Sequence, residues 1–431
     1  MKYKKEISLE EREKAAKRNE VIALIMVIVA TIVIFVSCKF TYEIYKVFNY
    51  MNQSAVYKGV THVNDANDSL EDVHKLMYEI DNIYNSTYIN DKEMVNIDEY
   101  ICNSLISAYG DKYGGYMNPQ ETVVNNTEVG SHIHGIGILV VPEYHDNEDE
   151  FELYLIDVYD ESPAYKAGLR VGDRITHVNN NRLSITKYNY TESINDVKGE
   201  IGTTVDITII PKGKNDSKVI TIERDIADIQ TVRYELIDNN VGYIKIREFD
   251  SKTDEQFEQA IKYFTSKGIN KFVFDMRNNS GGLRDSVTEM LDILIPEGII
   301  ITEYNSNGDI VNVSESDSKY VDFESITLIN KGTASAAELF TKCLLDYDKT
   351  ITIGETSYGK GTICTTFPLS NGGAIIVSTG KYLTKSGEDI EKVGIKPNIE
   401  MSLTEEKQEI YYKLNVDEDD LIVKAVELLQ N

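Results

Sequence analysis

Histidine is scarce in this chain of 431 residues, and none occurs after His177. The six histidines are His62, His74, His132, His134, His145 and His177. A Ser-His-Asp triad built only from the residues after 177 is therefore excluded, although a histidine borrowed from the earlier part remains conceivable. His132 and His134 have no obvious third ligand, so an exposed strand face is favoured over a metal site. We expect no metal and no cofactor.

Cysteines and basic residues are also few. The four cysteines, Cys38, Cys102, Cys343 and Cys364, lie far apart and match no zinc or redox spacing. A single Cys343–Cys364 disulfide stays open. With 71 acidic against 44 basic residues, the formal net charge is −27. A surface of that sign repels phosphate backbones, which argues against nucleic acid as a main partner.

A run of 18 uncharged residues, VIALIMVIVATIVIFVSC, occupies positions 21–38. As a helix it is roughly 27 Å long, about one hydrocarbon core. Seven lysines and arginines precede it, so the positive-inside rule places residues 1–20 in the cytoplasm and the rest outside. A cleaved signal peptide fits less well because the run is long and no small-x-small site follows, and a lipoprotein site at Cys38 is a weaker alternative. We predict an uncleaved single-pass anchor in the cell membrane.

Residues 39–129 are expected to form a helical region. Apolar residues recur at helical spacing in LEDVHKLMYEIDNIY and NIDEYICNSLISAY, and GDKYGGYMNP follows with turn residues. Such a region would act as a scaffold or as a homodimerisation arm.

Short strands dominate residues 130–212, beginning with GIGILVVPE and FELYLIDVY. In ESPAYKAGLRVGDRITHVNNNRL, Ser162 predicts the start of a short helix that ends at Gly168, and Gly172 predicts a turn into a strand. INDVKGEIGTTVDITIIP adds a helix, a turn and a strand. The SPA-x-x-AGL-x-x-GD stretch resembles bacterial PDZ domains.

PDZ domains bind an extended C-terminal peptide as an added strand and receive its carboxylate on backbone N–H groups. The resemblance implies that Gly135, Ile136, Gly137 and Ile138 form this peptide-binding loop. An ordinary tight turn into a strand is the alternative.

Strands and helices alternate over residues 213–400. NVGYIKIREF, KFVFDM, ITLIN and TITIGE have the pattern of strands, whereas DEQFEQAIKYFTSKG and AELFTKCLLDY have that of helices. This alternation predicts an α/β core, followed by a C-terminal helical segment over 401–431. The fold class is thus multidomain α+β, with a transmembrane helix, a helical N-terminal region, a PDZ domain and an α/β core.

Three loops of the core carry reactive residue types. In KGTASAAEL, Ser335 and Glu338 form the pattern of a capping box, so Ser335 has the features of an ordinary helix cap. The same position suits a nucleophile, because a helix N-terminus favours an oxyanion. In DMRNNSGG the paired glycines let N–H groups turn towards a ligand, though a β-turn is the simpler interpretation. GETSYGKGTIC places Lys360 between two glycines.

Lysine is the base available to a nucleophilic serine in a region without histidine. A lysine base must be neutral, so its pKa has to fall from about 10.4 to about 7–8. Burial lowers a lysine pKa in this way.

These loops, in this order, resemble the carboxy-terminal processing (tail-specific) protease family, whose members are PDZ-containing serine proteases with a Ser-Lys dyad. The resemblance covers roughly residues 70–400 and includes NVGYIKI, DMRNNSGG, KGTASAAE, GETSYGKGT and VGIKPNIE. It implies that Ser335 is the nucleophile and that Lys360, 25 residues later, is the general base. The resemblance also implies that the α/β core over residues 213–400 is a serine protease core.

The resemblance also implies an oxyanion hole and reveals one departure. The N–H groups of Ala336 and Gly282 would form the hole, with Gly281 as the second choice. Four residues after the lysine the family usually has a glutamine that helps to hold it, whereas this chain has Cys364. Because a thiol is a weak hydrogen-bond partner, low activity, a different orienting group and redox control all stay open.

The sequence thus predicts a membrane-anchored, extracytoplasmic serine endopeptidase that cleaves proteins near their C-termini, with a PDZ domain that gates the site. Its expected partners are protein substrates with accessible C-terminal tails. An inactive relative that only binds peptides is the alternative, and a signalling protease with one dedicated target is a third hypothesis.

Overall fold

A computed structural model describes residues 70–87, 97–144, 149–238 and 240–430. The predicted cytoplasmic tail and membrane anchor lie outside these residues, and within them no helix is long and apolar enough to span a bilayer. The chain divides into two compact units, residues 1–95 and 96–431. Helix α1 of the first unit, Leu70–Thr87, spans the segment whose apolar spacing predicted it.

The second unit begins with two helices, α2 (Ile97–Ala108) and α3 (Pro119–Val129), on either side of a short strand, β1 (Gly115–Met117). The segment predicted as a turn therefore contains a strand. β1 pairs antiparallel with β18 (Ala374–Leu383), far along the chain. Local periodicity predicts only the helices, because the partner of β1 is more than 250 residues away.

The region that resembles a PDZ domain contains a six-stranded antiparallel sheet with the order β3-β4-β5-β7-β8 and β6 beside β5. Its strands are β3 (Ile138–Tyr144), β4 (Phe151–Val158), β5 (Arg174–Val178), β6 (Asn181–Arg182), β7 (Thr204–Ile210) and β8 (Lys218–Glu223). Alternate residues of these strands fill an apolar core with Leu153, Leu155, Ile207 and Ile209, as half-buried strands require.

Two helices accompany this sheet, α4 (Pro163–Lys166) and α5 (Tyr190–Val197). The Ser162 hydroxyl accepts a hydrogen bond from the Tyr165 N–H, so α4 starts as the sequence predicted. A two-stranded ribbon of β2 (His132–Gly135) and β9 (Asp225–Asp228) stands where the chain enters and leaves this domain.

The core domain is built on a second six-stranded sheet with the order β10-β11-β12-β15-β16-β19, parallel except for β10. Its strands are β10 (Val232–Ile237), β11 (Val241–Ile246), β12 (Lys271–Asp275), β15 (Glu324–Ile329), β16 (Thr350–Gly354) and β19 (Ile399–Glu400). Their apolar runs are continuous because helices cover both faces of the sheet.

One face of this sheet packs against α6 (Thr253–Ser266), α7 (Arg284–Asp292) and α8 (Ala336–Asp346). The other face packs against α10 (Asp420–Gln430). The first interface is aromatic, with the buried rings of Phe257, Phe272, Phe274 and Phe340 in mutual contact.

A smaller antiparallel sheet completes the core domain. Besides β1 and β18 it contains β13 (Gly298–Asn305), β14 (Ile310–Ser316) and β17 (Thr362–Pro368). A short helix, α9 (Glu405–Glu409), and a 3-10 turn, Tyr411–Lys413, lead from the core to α10.

Candidate active site

The three loops with reactive residues follow three neighbouring parallel strands, β12, β15 and β16. Carboxyl ends of parallel strands lie at one edge of a sheet, where ligands bind in open α/β folds. Two hydrogen bonds join the first loop to the second: the Ala334 N–H donates to the Asn279 carbonyl at 2.9 Å, and the Thr333 hydroxyl donates to the Met276 carbonyl at 2.8 Å. The fold therefore brings these two loops together.

Ser335 occupies the N-cap of α8 with φ +55° and ψ −118°. A positive φ is rare for a residue with a side chain, and strain of this kind typically costs about 1–3 kcal/mol. The Ser335 N–H donates to the Glu338 carboxylate at 2.9 Å, which is the predicted contact of the capping box. Ser335 is thus a helix cap held in a strained, half-buried position.

Glu338 does more than cap the helix. Its side chain is fully buried, and its carboxylate accepts four hydrogen bonds, from the N–H groups of Ser335, Gly359 and Lys360 and from the Ser357 hydroxyl. A buried carboxylate is stable only when donors compensate its charge. These donors come from the serine loop and from the lysine loop, so one carboxylate binds the two loops together.

Tyr382 on β18 forms a second bridge between the same loops. Its hydroxyl lies 3.0 Å from the Ser335 carbonyl oxygen and 3.1 Å from the Lys360 carbonyl oxygen. Burial, with the nearby Glu338 charge, raises the pKa of Tyr382 well above its usual value. The phenol therefore keeps the proton that it shares between the two carbonyl groups.

Lys360 is half-buried, and within the described ranges no hydrogen bond joins its Nζ to the Ser335 hydroxyl. Nζ lies instead 4.8 Å from the centroid of the Tyr113 ring. Glu338 and Tyr382 thus fix the backbones of the predicted dyad, whereas the Lys360 amine lies against an aromatic ring from the segment before β1.

The glycine pair of DMRNNSGG lies directly against the serine. Gly281 and Gly282 have φ +108° and +137°, and a Cβ on Gly281 would lie 2.8 Å from the Ser335 Cβ. The Gly281 N–H donates to the Asn279 side chain at 2.8 Å and is thus already engaged. The second choice for the oxyanion hole is therefore the poorer one.

Gly282 is better placed for that role. Phe249 is bonded in parallel register to the residues on either side of Gly282, through the Gly281 carbonyl and the Leu283 N–H. In such a bridge the N–H of the middle residue points away from the partner strand. The Ala336 N–H is the first of α8 and has no acceptor within the helix. Both N–H groups are thus suited to an oxyanion, and their assignment stays a prediction.

A buried ionic cluster holds the base of the DMRNNSGG loop. Asp275 binds both Arg277, at 2.7 Å, and Lys245, at 3.1 Å, and Arg277 also binds Asp419 at 2.8 Å. Although burial raises the pKa of Asp275, Arg277 and Lys245 hold it far below its usual value. Burial lowers the pKa of Lys245 to about 8. This cluster fixes the loop and involves a residue that precedes α10.

Cys364 lies on β17 opposite Ser378, next to a register irregularity. Its thiol is half-buried, that of Cys343 is buried, and both are free, so the open disulfide pairing is not formed. No hydrogen bond between Cys364 and the Lys360 amine is present in the part of the chain that the structure describes.

The predicted peptide-binding loop links β2 to β3. Gly137 has φ +76°, and a Cβ there would lie 2.4 Å from that of Ser162. Ile136 is buried, and its carbonyl accepts a hydrogen bond from the Ala164 N–H at 2.8 Å. β3 is an edge strand of its sheet, the geometry that strand addition requires. Peptide binding by Gly135 to Ile138 stays a prediction.

A buried carboxylate also joins the PDZ-like domain to the core. Asp157, at the end of β4, pairs with Arg233 of β10 at 2.7 Å and with Arg247. Burial raises the pKa of Asp157, but the hydrogen bonds from Arg233 and the charge of Arg247 outweigh it and lower the pKa overall. The exposed Asp160 makes a second contact with Arg233.

His132 and His134 both lie on β2. His132 Nδ1 is 2.9 Å from an Asp228 oxygen on β9, and His134 is exposed. No group of metal-ligating side chains occurs among the residues that the structure describes.

Two regions of the chain match known protein families. Residues 240–401 match the family described as peptidase family S41, and residues 156–209 match the PDZ domain. The carboxy-terminal processing protease CtpA of Bacillus subtilis is 32% identical over 301 residues, which cover 69% of this chain and 62% of that protein. The carboxy-terminal-processing protease of Bartonella bacilliformis is 30% identical, with 70% and 69% covered.

A solved structure described as an S41 protease candidate from Bacteroides fragilis has a similar fold. Its TM-score is 0.55 with 17% sequence identity, and the match covers 80% of this chain and 92% of that one. The chain spans less than two thirds of the length of the Bacillus subtilis relative.

The sequence did not predict the roles of three residues that hold the site together. Glu338 carried only the signal of a helix cap, Tyr382 carried none, and Tyr113 lay in a segment interpreted as a turn.

Proposed function

The chain belongs to the carboxy-terminal processing proteases of peptidase family S41, and on that premise we propose that it is a serine endopeptidase with a Ser335-Lys360 dyad. It cleaves proteins near their C-termini. The PDZ domain receives the C-terminal tail of the substrate on Gly135 to Ile138 and gates access to Ser335.

The proposed chemistry needs no group beyond those already described. The neutral Lys360 amine takes the proton of the Ser335 hydroxyl while Oγ attacks the scissile carbonyl carbon. The N–H groups of Gly282 and Ala336 stabilise the oxyanion that forms. The lysine ammonium then protonates the leaving amine, and water hydrolyses the acyl-enzyme by the reverse sequence of proton transfers.

The observation that carries the proposal is the shared carboxylate of Glu338. It accepts the N–H groups of Ser335 and Lys360 at 2.9 and 2.8 Å and so fixes the two backbones beside each other. Preorganised backbones of this kind leave little to be ordered at the moment of reaction.

The location of the enzyme is part of the same proposal. The uncharged run at 21–38 anchors it in the cell membrane, and the basic residues before that run keep the N-terminus in the cytoplasm. The PDZ and protease domains are then extracytoplasmic. A reporter fused after Asn431 should be active only on the outer side of the membrane, and a cytoplasmic signal would contradict this.

Cleavage of an unfolded protein tests the dyad. Ser335→Ala and Lys360→Ala should each abolish turnover while the melting temperature stays close to that of the wild type. The double variant should be no slower than either single one, because the two residues act as a unit. Normal turnover by Lys360→Ala would remove lysine from the mechanism, and normal turnover by Ser335→Ala would remove the whole proposal.

A peptide-binding protein without activity is the second candidate. It is favoured by Cys364 at the position of the family glutamine and by the Lys360 amine, which among the described residues makes no hydrogen bond to the Ser335 hydroxyl. A fluorophosphonate probe separates the two: covalent labelling that disappears in Ser335→Ala identifies an enzyme, whereas an unlabelled wild type with measurable affinity for C-terminal peptides identifies a binding protein.

A further inference from the structure

Lys360 lies against the Tyr113 ring, and no amide side chain stands at position 364 to hold it. A lysine ammonium within about 6 Å of a ring centroid is attracted by the negative face of the ring, and the distance here is 4.8 Å. Tyr113 thus supplies the contact that Cys364 lacks.

The Tyr113 ring is itself held in place by the lysine loop. Its hydroxyl donates to Glu391 at 2.9 Å, and the other oxygen of Glu391 accepts from the Gly361 N–H and the Thr362 hydroxyl, each at 2.9 Å. Burial and the Glu391 carboxylate raise the pKa of Tyr113, which preserves the donated proton. The ring is therefore anchored to the two residues that follow Lys360.

The backbone next to the ring has a separate anchor. Asp111 accepts a hydrogen bond from the Tyr113 N–H at 3.0 Å and binds both the N–H and the hydroxyl of Ser378, at 2.8 and 2.6 Å. Ser378 is the residue opposite Cys364 in the pairing of β17 and β18. The segment that carries Tyr113 is therefore fastened beside position 364.

From this arrangement we propose that Tyr113 is the positioning residue for the Lys360 amine, in the place of the amide that the family usually carries at position 364. The inference rests on the proposed function, in which Lys360 is the general base. Tyr113 acts through Lys360 alone: its ring limits where the amine lies and stabilises the ammonium that forms when Lys360 takes the serine proton.

The surroundings of the amine contain charges of both signs. Lys112 lies 4.9 Å from the same ring and 4.7 Å from the Tyr358 ring, and Glu391 is bonded to the Tyr113 hydroxyl. Glu338 binds the Lys360 backbone. Because several charges face this site, rates of position-matched variants test the proposal more sharply than a pH profile.

The first experiment compares two substitutions in the full chain with an unfolded, reduced and alkylated protein as substrate. Tyr113→Leu removes the ring face and should lower kcat by about tenfold with little change in KM. Tyr113→Phe keeps the ring and loses the hydroxyl bond to Glu391, so it should retain more of kcat than Tyr113→Leu. Tyr358→Leu, which removes a neighbouring ring from Lys112, should match the wild type.

The second experiment is a rescue. If the ring replaces the missing amide, Cys364→Gln should restore most of the kcat lost in Tyr113→Leu while changing the wild type by less than about threefold. A structural defect caused by Tyr113→Leu would not respond to an amide at position 364. An unchanged kcat in Tyr113→Leu overturns the proposal, as do equal losses in the Leu and Phe variants or a double variant that stays slow.

A third measurement does not depend on activity. In the Ser335→Ala background, Tyr113→Leu should increase the rate of reductive methylation of Lys360, measured by peptide mass spectrometry, and leave that of the exposed Lys331 unchanged. An equal Lys360 rate with and without the ring refutes the positioning contact even if the proposed protease function fails. Conversely, an inert Ser335→Ala beside a fully active Tyr113→Leu defeats this inference and leaves the protease function intact.

Discussion

Ser335 and Lys360 donate their backbone N–H groups to the same oxygen atom, Oε2 of Glu338. Their carbonyl groups share one partner as well, the hydroxyl of Tyr382. The two residues of the proposed dyad are thus joined through both sides of their peptide groups, although no hydrogen bond joins their side chains within the described residues. The relative position of the proposed nucleophile and base therefore depends on the side chains of Glu338 and Tyr382, which can be substituted one at a time.

Replacing Glu338 with glutamine should inactivate and destabilise the protein. The amide keeps the size of the side chain, but its NH2 group faces two of the four existing donors, and the charge that these donors compensate is lost. We expect the free energy of unfolding to fall by about 3 kcal/mol and turnover to approach that of Ser335→Ala. Denaturant unfolding and cleavage assays measure the two effects. Glu388→Gln, at an exposed partner of Lys342, should change neither, and a fully active Glu338→Gln would contradict the bridging role.

Removing the Tyr382 hydroxyl tests the second bridge. In Tyr382→Phe the carbonyl groups of Ser335 and Lys360 lose their common partner, so kcat should fall by about tenfold if roughly 1.4 kcal/mol of positioning is lost. The KM should stay close to the wild-type value. Tyr347→Phe removes a hydroxyl that donates to the Ile299 carbonyl, away from the dyad, and should remain as fast as the wild type. Equal rates in both variants would show that Glu338 alone is sufficient.

The glycine loop offers a closely matched pair of substitutions. Gly281 and Gly268 both have a positive φ, but a Cβ on Gly281 would lie 2.8 Å from that of Ser335, whereas one on Gly268 meets nothing within 4 Å. Gly268→Ala should lose about 1 kcal/mol of stability through backbone strain, and Gly281→Ala should lose more because its Cβ also clashes with Ser335. Only Gly281→Ala should also lose cleavage, by about a hundredfold or more, because the clash displaces the serine. Similar activity in the two variants would mean that Gly281 does not shape the site.

Acid should weaken the attachment of the PDZ domain to the core through Asp157. Its pKa is lower in the folded protein than in the unfolded chain, so its stabilising contribution is complete above the unfolded value near 4 and is lost as the pH falls through the folded value. Asp157→Asn should cost about 3 kcal/mol at pH 7, and the difference from the wild type should shrink towards pH 2. Denaturant titrations across this range measure it.

Asp160→Asn is the control for that experiment. Asp160 binds the same Arg233 from an exposed position, and exposed ion pairs contribute only about 0–1 kcal/mol. A pH-independent difference between Asp157→Asn and the wild type would show that the carboxylate charge is not what holds the domains together.

Much of the fold follows from local patterns. The strands of the core, such as Lys271–Asp275, are continuous apolar runs that end in polar loops, and α4 begins with the cap and proline that predicted it. The residues that form each of these signals lie close together in the chain, so the signals can be recognised from the sequence alone. The same holds for the three loops around Ser335 and Lys360, whose spacing is typical of a known family.

The contacts that hold Ser335 and Lys360 in place could not be predicted from local patterns. β1 consists of three residues and forms because β18 offers it an edge, and Tyr113, two residues before β1, meets Lys360 only in the assembled fold. Tyr382 is one of ten residues on a long strand, and the sheet register alone decides that its hydroxyl meets the two carbonyl groups. Contacts between residues so distant in sequence depend on the assembled fold and leave no local pattern.

The bond between Asp111 and Ser378 has a consequence for biosynthesis. The two residues are 267 positions apart, and a ribosome adds residues in order from the N-terminus. Tyr113 is synthesised long before the strand that fixes its segment, so the emerging polypeptide carries an unassembled site throughout most of translation. Arg277 is likewise synthesised 142 residues before its partner Asp419. A protease built in this order is spared from cutting itself or its neighbours while it is still being made.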